Sequence, residues 1–182
     1  MIDPVEYLEA FSYEGIDVRR GSRPQLAARV SDEMVTTLLF ELGIPKQLGD
    51  DLFFLDISRG IKTLKEVREE AGGENRSKLD DLLYIGAGIG SGVILLDGST
   101  GEVISWTDES TQPINTHFQF FLDFICQIQK QINDFEETES PPSPSFDEFI
   151  QRFLRNLAST DPGAPTQVNG YWDQMLRTIF DA

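Results

Sequence analysis

The sequence has few residues of several kinds, and each shortage narrows the functions open to the chain. A single cysteine, Cys126, cannot form an internal disulfide, and a single histidine, His117, cannot form a histidine cluster for a metal ion. Lysine and arginine number 15 against 31 aspartates and glutamates, which gives a formal charge of −16. That charge repels phosphate backbones and anionic lipids, so direct binding to nucleic acid or to a membrane is not expected.

Long apolar runs are also missing. No stretch approaches the roughly 18 apolar residues of a transmembrane helix, and residues 1–6 lack the basic and apolar regions of a signal peptide. We therefore expect a cytoplasmic protein. The 182 residues are 40% hydrophobic, with thirteen phenylalanines, which suits one domain around a phenylalanine-rich core.

The centre of the chain contains three short apolar segments bounded by glycine. Residues 82–85, 92–96 and 102–106 are rich in β-branched, leucine or aromatic residues, as strands are. Between the last two, the turn residues 97–101 tolerate positive φ and allow the chain to reverse. The pattern predicts an antiparallel meander around 82–107.

A run of glycines from Gly86 to Gly92 joins the first two of these segments. Closely spaced glycines also cradle phosphates, but such a loop needs a helix directly after it. Residues 93–96 are too short and too β-like for a helix, and no Gly-Lys-Ser/Thr ending follows. We favour a hairpin loop or bulged turn, and keep a nucleotide-binding enzyme that uses Gly86–Gly92 as an alternative.

Before the meander, capping and apolar spacing predict three helices and a strand. The first helix is expected at 4–11, with Val5, Leu8 and Phe11 on one side. The second is expected at 31–42, where Ser31 opens it and Met34 belongs to its apolar stripe. The third is expected at 63–71 and begins with a Thr63–Glu66 capping box. The strand is expected at 52–57, where an uninterrupted apolar run predicts burial on both faces. Arg19, Arg20, Arg23 and Arg29 form a locally basic segment, which we interpret as offsetting acidic neighbours rather than as a docking patch.

After the meander, residues 106–113 are interpreted as a polar loop, and Thr116 with Gln119 as a capping box for a phenylalanine-rich helix. This should be the main helix on the sheet, with Cys126 as a small buried hydrophobe and His117 as a surface residue at its start. A Pro/Ser-rich linker at 138–145 then separates the 31–137 core from helices within 146–182. We expect those helices to fold back on the same core, within one domain spanning 1–182.

Several short motifs follow one another in a recognisable order. They are Gly43-Ile44-Pro45 at a helix end, Phe53-Phe54, Leu83-Tyr84-Ile85-Gly86, Val93-Ile94-Leu95-Leu96-Asp97, Thr100-Gly101-Glu102-Val103, Asn115 before the phenylalanine-rich helix, and Tyr171-Trp172 near the end. Over about Ser31–Ile128 this order resembles the SUKH superfamily, most closely its fourth subfamily. The Tyr171-Trp172 pair, beyond that range, is also similar.

The resemblance implies an α+β fold, a mostly antiparallel sheet wrapped by helices, without a shared enzymatic activity or cofactor. It also implies a bacterial immunity role, in which a cytoplasmic protein binds and neutralises a cognate toxin domain of a polymorphic toxin system. Such toxins are often nucleases or nucleic-acid deaminases. Toxins that act on nucleic acid have basic clefts, and an acidic inhibitor has the complementary potential.

Partner-binding residues are sought among acidic and aromatic side chains on loops at one sheet edge, because buried aromatics and paired charges are typical interface anchors. The candidates are Asp50, Asp51, Glu102, Trp106, Asp108 and Glu109. Trp106 fits either an interface anchor or a core residue at a strand end. A non-catalytic scaffold or regulatory protein of the same fold, docking through the linker and final helices, remains an alternative function.

Overall fold

The computed structural model describes residues 2–73, 77–88, 92–107, 110–138, 146–165 and 170–180. Within them the chain forms seven α-helices and nine strands, which confirms the predicted α+β class. The helices are α1 (Pro4–Ser12), α2 (Arg23–Ala27), α3 (Glu33–Glu41), α4 (Leu64–Glu70), α5 (Phe118–Thr138), α6 (Phe146–Thr160) and α7 (Tyr171–Phe180). The strands are β1 (Val18–Arg19), β2 (Ile44–Pro45), β3 (Gln47–Leu48), β4 (Leu52–Phe54), β5 (Lys62–Thr63), β6 (Leu83–Gly88), β7 (Gly92–Leu96), β8 (Val103–Trp106) and β9 (Thr111–Asn115).

Strands β3 to β9 form one antiparallel sheet in the order β3-β4-β6-β7-β8-β9, with β5 paired to β6. Strands β6, β7 and β8 are consecutive neighbours, so the predicted meander is confirmed. The meander continues into β9, whereas residues 106–113 were predicted to be a loop. That prediction was wrong from Thr111 onward, because β9 ends the sheet and an edge strand tolerates proline and polar residues.

One face of the sheet packs against α5. Six of its side chains are at most 1% exposed, as the predicted main helix requires: Phe118, Phe121, Leu122, Phe124, Ile125 and Ile128. The ring of Phe54 from β4 lies 6.0 Å from that of Phe121, so the face that carries Phe54 is the inner face. Burial of large apolar side chains, worth roughly 1.5–3 kcal/mol each before entropic costs, holds the helix on the sheet.

The C-terminal helices contribute to the same core. Trp172 of α7 is fully buried, its ring lies 4.4 Å from that of Phe124, and its Nε1 donates to the Ile114 carbonyl at 3.3 Å. In α6, Phe149 contacts the ring of Phe135 near the end of α5. Apart from Thr138, the predicted linker 138–145 lies outside the described residues. No helix in the described part of the chain is both long and apolar enough to cross a bilayer.

Two helix predictions were right in position but wrong in detail. In α1, Tyr7, Ala10 and Phe11 are buried, whereas Val5 is 62% exposed, since the buried stripe is centred on the other side of the helix. Asp32 rather than Ser31 caps α3, because its carboxylate accepts from the backbone N–H of Val35 at 2.8 Å. The start of α3 is thereby set one residue later than predicted.

The predicted capping boxes had different outcomes. Thr63 and Glu66 form theirs at the start of α4, which confirms that prediction. At α5, His117 Nδ1 accepts from the backbone N–H of Gln119 at 3.1 Å, while the Thr116 hydroxyl donates to Asp161 at 2.6 Å. The prediction that Thr116 caps α5 was wrong, because its hydroxyl donates a hydrogen bond to a buried carboxylate that is distant in sequence.

Candidate functional site

The sheet face opposite α5 presents a row of side chains from five neighbouring strands. Phe53 lies opposite Ala87, Ala87 opposite Val93, Val93 opposite Trp106, and Trp106 opposite Thr111. Residues directly opposite one another in a sheet project to the same face, so we call these five residues the outer row. Phe53 and Thr111 are exposed and the three between them are partly buried.

Helix α4 lies beside the outer row on the same face. The backbone N–H of Leu64 donates to the Leu82 carbonyl at 2.8 Å, which ties the start of α4 to β6. Leu64 and Leu95 are both buried, although neither belongs to the main core between the sheet and α5. The outer face therefore has its own small apolar layer, and the outer row borders it.

Trp106 connects this layer to the outer row. The guanidinium of Arg68 on α4 lies 4.6 Å above the indole ring and pairs with Asp80 at 2.9 Å. Such cation–π stacking contributes roughly 0.5–2 kcal/mol and restrains the ring. Trp106 is thus neither a fully buried core residue nor a free surface side chain, but a partly exposed indole held in one orientation.

Asp50 and Asp51 lie in the turn between β3 and β4, at the strand ends where Trp106 is also found. Leu52 at the start of β4 pairs with Gly88, and Gly88 pairs with Gly92 at the start of β7. The start of β4 and the end of β8 therefore lie at the same end of the sheet. Asp50 is exposed and Asp51 partly buried, and neither has an ion-pair partner among the described residues.

The turn that presents these acids is itself packed against helices. Gly49 has a φ of +55°, and a β-carbon built there would lie 3.8 Å from Ile179 of α7 and 3.9 Å from Ile132 of α5. The left-handed conformation favours glycine, and the two isoleucine side chains lie near the turn. Asp50 and Asp51 therefore follow a turn that lies close to α5 and α7.

The other acidic candidates are not all found at the sheet end that carries Asp50 and Asp51. Glu102 precedes β8 while Trp106 ends it, so Glu102 lies at the opposite end of the sheet and the prediction of one shared edge was wrong for it. Asp108 and Glu109 lie outside the described residues. Their neighbours Thr107 and Ser110 are joined at the Trp106 end, where the Thr107 N–H donates to the Ser110 carbonyl at 2.9 Å.

Three glycines of the run, Gly86, Gly88 and Gly92, lie in the ladder between β6 and β7. A strand rather than a helix follows Gly92, which is not the arrangement of a phosphate loop. At Gly92, with a φ of +79°, an added β-carbon would lie 2.3 Å from the Trp106 carbonyl oxygen, and at Gly86 it would lie 2.6 Å from the Phe53 carbonyl oxygen. These two glycines permit close strand contact beside the outer row, and residues 89–91 lie outside the described part.

The basic N-terminal segment is largely engaged by acids, as predicted. Arg29 binds Glu66 through both guanidinium nitrogens at 2.8 and 2.6 Å, and Arg19 and Arg23 each have carboxylate partners. The Arg29 hydrogen bonds, followed by the Thr63 backbone N–H, lower the pKa of Glu66. This segment therefore attaches α4 to the N-terminal part of the chain.

The single cysteine and the single histidine are each at least partly buried. Cys126 is 4% exposed, as predicted for a buried hydrophobe, and its burial raises the pKa of the thiol to about 11. His117 is partly buried, with its Nε2 3.6 Å from an Asp32 carboxylate oxygen. Within the described residues, no group of three or more histidine, cysteine, aspartate or glutamate side chains is arranged to hold a metal ion.

The sequence interpretation missed Phe53, which was predicted to be buried and is 46% exposed. The missed signal is the two-residue period of a strand: Leu52 and Phe54 face inward, so the residue between them must face outward. Strand β4 pairs on both sides, yet only its inner face lies under α5. An exposed phenylalanine thus lies two residues after Asp51 in the sequence.

A family model described as SUKH-4 immunity protein matches residues 17–178 of the chain. No curated protein and no solved structure matched.

Proposed function

Because the chain belongs to the SUKH-4 immunity protein family, we propose that it neutralises a cognate toxin by binding the toxin domain directly. The immunity role comes from the family, and direct contact with the toxin is our proposal. Occupying the toxin surface is enough to block it, so this mechanism requires no catalytic group in the immunity protein. The protein would act in the cytoplasm, where a toxin that attacks nucleic acid finds its substrate.

The observation that carries the proposal beyond the family is electrostatic. A formal charge of −16 accompanies acids at 50 and 51 that form no ion pair within the described residues. Carboxylates that are not used internally remain available to a basic partner, and complementary potentials accelerate encounter and exclude other partners. The acidity thus favours a partner with a positive active-site cleft, as in a nuclease or a nucleic-acid deaminase.

We propose that the toxin contacts the sheet end that carries Asp50, Asp51 and Trp106, together with the acidic residues Asp108 and Glu109. An aromatic side chain held by a neighbouring cation is a suitable anchor, and acids around it can pair with basic residues of the toxin. Glu102, at the other end of β8, is expected to lie outside this contact.

The experiment tests the product of the gene next to the one that encodes this protein as the cognate toxin. Its C-terminal domain is expressed in cells from an inducible promoter, with and without this protein, and an inactivated form is purified for binding kinetics. We expect restored growth and a complex that forms quickly at low salt. Failure of the protein to restore growth and to bind the domain would contradict the proposal.

A matched pair of charge reversals then tests the location of the contact. Asp50→Lys and Glu102→Lys each change the net charge by the same amount, and both side chains are exposed without an ion-pair partner in the described residues. We expect Asp50→Lys to slow association about threefold to tenfold at low salt, and much less at 0.5 M salt, because salt screens steering. Glu102→Lys should have the smaller effect, and equal effects would remove the turn at 50–51 from the contact.

A further inference from the structure

We propose that the outer row is the apolar centre of the toxin contact, with Phe53 as its main anchor. The partner surface that fits is apolar in the middle and basic on the side that meets Asp50 and Asp51. This inference rests on the proposed function and assigns it to a particular face of the sheet.

The exposure of Phe53 is the starting point. Phe54, the next residue, is 7% exposed and contacts Phe121, whereas Phe53 keeps 46% of its surface exposed in the same strand. Its two neighbours across the ladder are Ala87 of β6, which is too small to cover an aromatic ring, and the polar Gln47 of β3. A large apolar side chain left open on a paired strand gains little for stability, and such patches often mark interaction surfaces.

The apolar surface continues from Phe53 across the sheet. Ala87, Val93 and Trp106 occupy the same row on consecutive strands, and the usual strand spacing makes the row from β4 to β9 about 19 Å long. Two aromatic side chains thus stand on either side of two smaller ones. A bulky apolar side chain of the partner could insert between Phe53 and Trp106.

The row is also fixed before any partner arrives. Its backbone belongs to an antiparallel ladder, and the guanidinium of Arg68 stacks on the Trp106 ring and restrains it. Side chains that are already ordered lose less conformational entropy on binding, which increases the affinity obtained from a given contact area.

The charge beside the row selects the partner. Asp50 and Asp51 immediately precede β4, so two carboxylates that have no ion pair within the described part of the chain border the Phe53 end of the row. Arg68, near the other end, is already paired with Asp80. Lys46, whose carbonyl accepts from the Phe54 N–H at 2.9 Å, adds one positive charge, so the two carboxylates leave a net negative charge near Phe53. That charge favours a basic protein surface over an acidic one.

The test compares two exposed phenylalanines. Phe53→Ala removes the proposed anchor, and Phe40→Ala removes a phenylalanine of α3 that is 39% exposed and outside the row. Using the inactivated C-terminal domain of the neighbouring toxin as the probe, we expect Phe53→Ala to weaken binding at least tenfold, mainly through faster dissociation. Phe40→Ala should stay within about twofold of the unchanged protein.

A labelling experiment gives a second readout of the same surface. Since Cys126 is buried and its pKa is raised to about 11, a maleimide should react selectively with the new thiol of Phe53→Cys or Phe40→Cys. Excess toxin domain should slow labelling at position 53 at least tenfold and leave labelling at position 40 nearly unchanged.

The outcomes separate the two proposals. If the unchanged protein binds the toxin domain, but position 53 is neither needed nor protected, the outer row is not the contact and the proposed function stands. If the unchanged protein does not bind the domain, the proposed function fails and this inference fails with it. Tight binding with selective loss and protection at position 53 supports both.

Discussion

The two faces of the sheet differ in what their side chains accomplish. Phe54 points inward and is 7% exposed, while Phe53 points outward and is 46% exposed, although they are consecutive residues of β4. The inner face packs against α5 and is covered by apolar contacts. The outer face is only partly covered by α4, which ion pairs and a capping box hold in place. We infer that stability depends mainly on the inner face, and that the outer face is open for recognition.

The two tryptophans express the same contrast. Trp172 is fully buried among Phe121 and Phe124, whereas Trp106 is partly exposed and its ring is stacked under a guanidinium. The chain contains just these two tryptophans, so replacing each in turn compares the inner and outer layers with one residue type.

The largest effect is expected from Trp172→Ala. Loss of a fully buried indole, with its hydrogen bond to the Ile114 carbonyl, should lower the free energy of unfolding by about 3–5 kcal/mol. Trp106→Ala should cost about 1–2 kcal/mol, because part of the ring is already exposed. Urea unfolding monitored by circular dichroism measures both values. Equal losses would mean that the two layers support the fold equally.

Much of the inner layer can be predicted from local sequence. Segments bounded by glycine gave the strands of the meander, and apolar residues three and four apart gave α5, because each pattern reflects the period of one element. The charge-paired arginines and the buried Cys126 were also predicted correctly. These features depend on residues close together in sequence or on composition.

The outer layer was harder to predict because its features depend on distant partners. Strand β9 carries a proline and polar residues, and its pairing with β8 is decided by position at the sheet edge. Phe53 looks like a core residue until the helix on the opposite face is known. Thr116 was predicted to be a helix cap, but its hydroxyl donates a hydrogen bond to Asp161, which is distant in sequence.

That same Asp161 gives the second prediction. Its carboxylate is 1% exposed and accepts hydrogen bonds from Asn115 Nδ2 at 3.2 Å, the Thr116 N–H at 2.9 Å and the Thr116 hydroxyl at 2.6 Å. These bonds join the segment after α6 to the segment before α5. Asp161→Ala leaves buried donors without an acceptor and should cost about 2–3 kcal/mol.

The control for Asp161→Ala is Asp147→Ala, which removes an exposed carboxylate that pairs with Arg177 at 2.9 Å. A surface ion pair of this kind contributes at most about 1 kcal/mol. Both variants are compared by urea unfolding at pH 7. If Asp161→Ala were no more costly than Asp147→Ala, the buried carboxylate would not be a structural link between the two segments.

The smallest expected effect concerns the electrostatic attachment of α4 on the outer face. Hydrogen bonds from Arg29, and then from the Thr63 backbone, lower the pKa of Glu66 below its value of 4.5 in the unfolded chain. A carboxyl with a lowered pKa stabilises the fold above pH 4.5, and this stabilisation disappears as the pH falls through the folded-state pKa. Glu66→Gln should therefore lower the melting temperature slightly at pH 7. The loss in free energy of unfolding should be less than about 1 kcal/mol, because the pair is partly exposed.

The difference between Glu66→Gln and the unchanged protein should shrink as the pH falls below 4.5 and through the folded-state pKa, since the carboxylate then becomes protonated in both states of the unchanged chain. Glu69→Gln is the matched control, because Glu69 sits on the same helix and is 3.9 Å from Lys65 in an exposed pair. Melting curves measured at intervals from pH 7 downward, until the unchanged protein no longer folds, provide the measurement. A constant gap between Glu66→Gln and the unchanged protein across this series would show that packing, rather than charge, holds α4 on the outer face. The contrast between an outer layer held partly by charge and an inner layer held by apolar burial would then be lost.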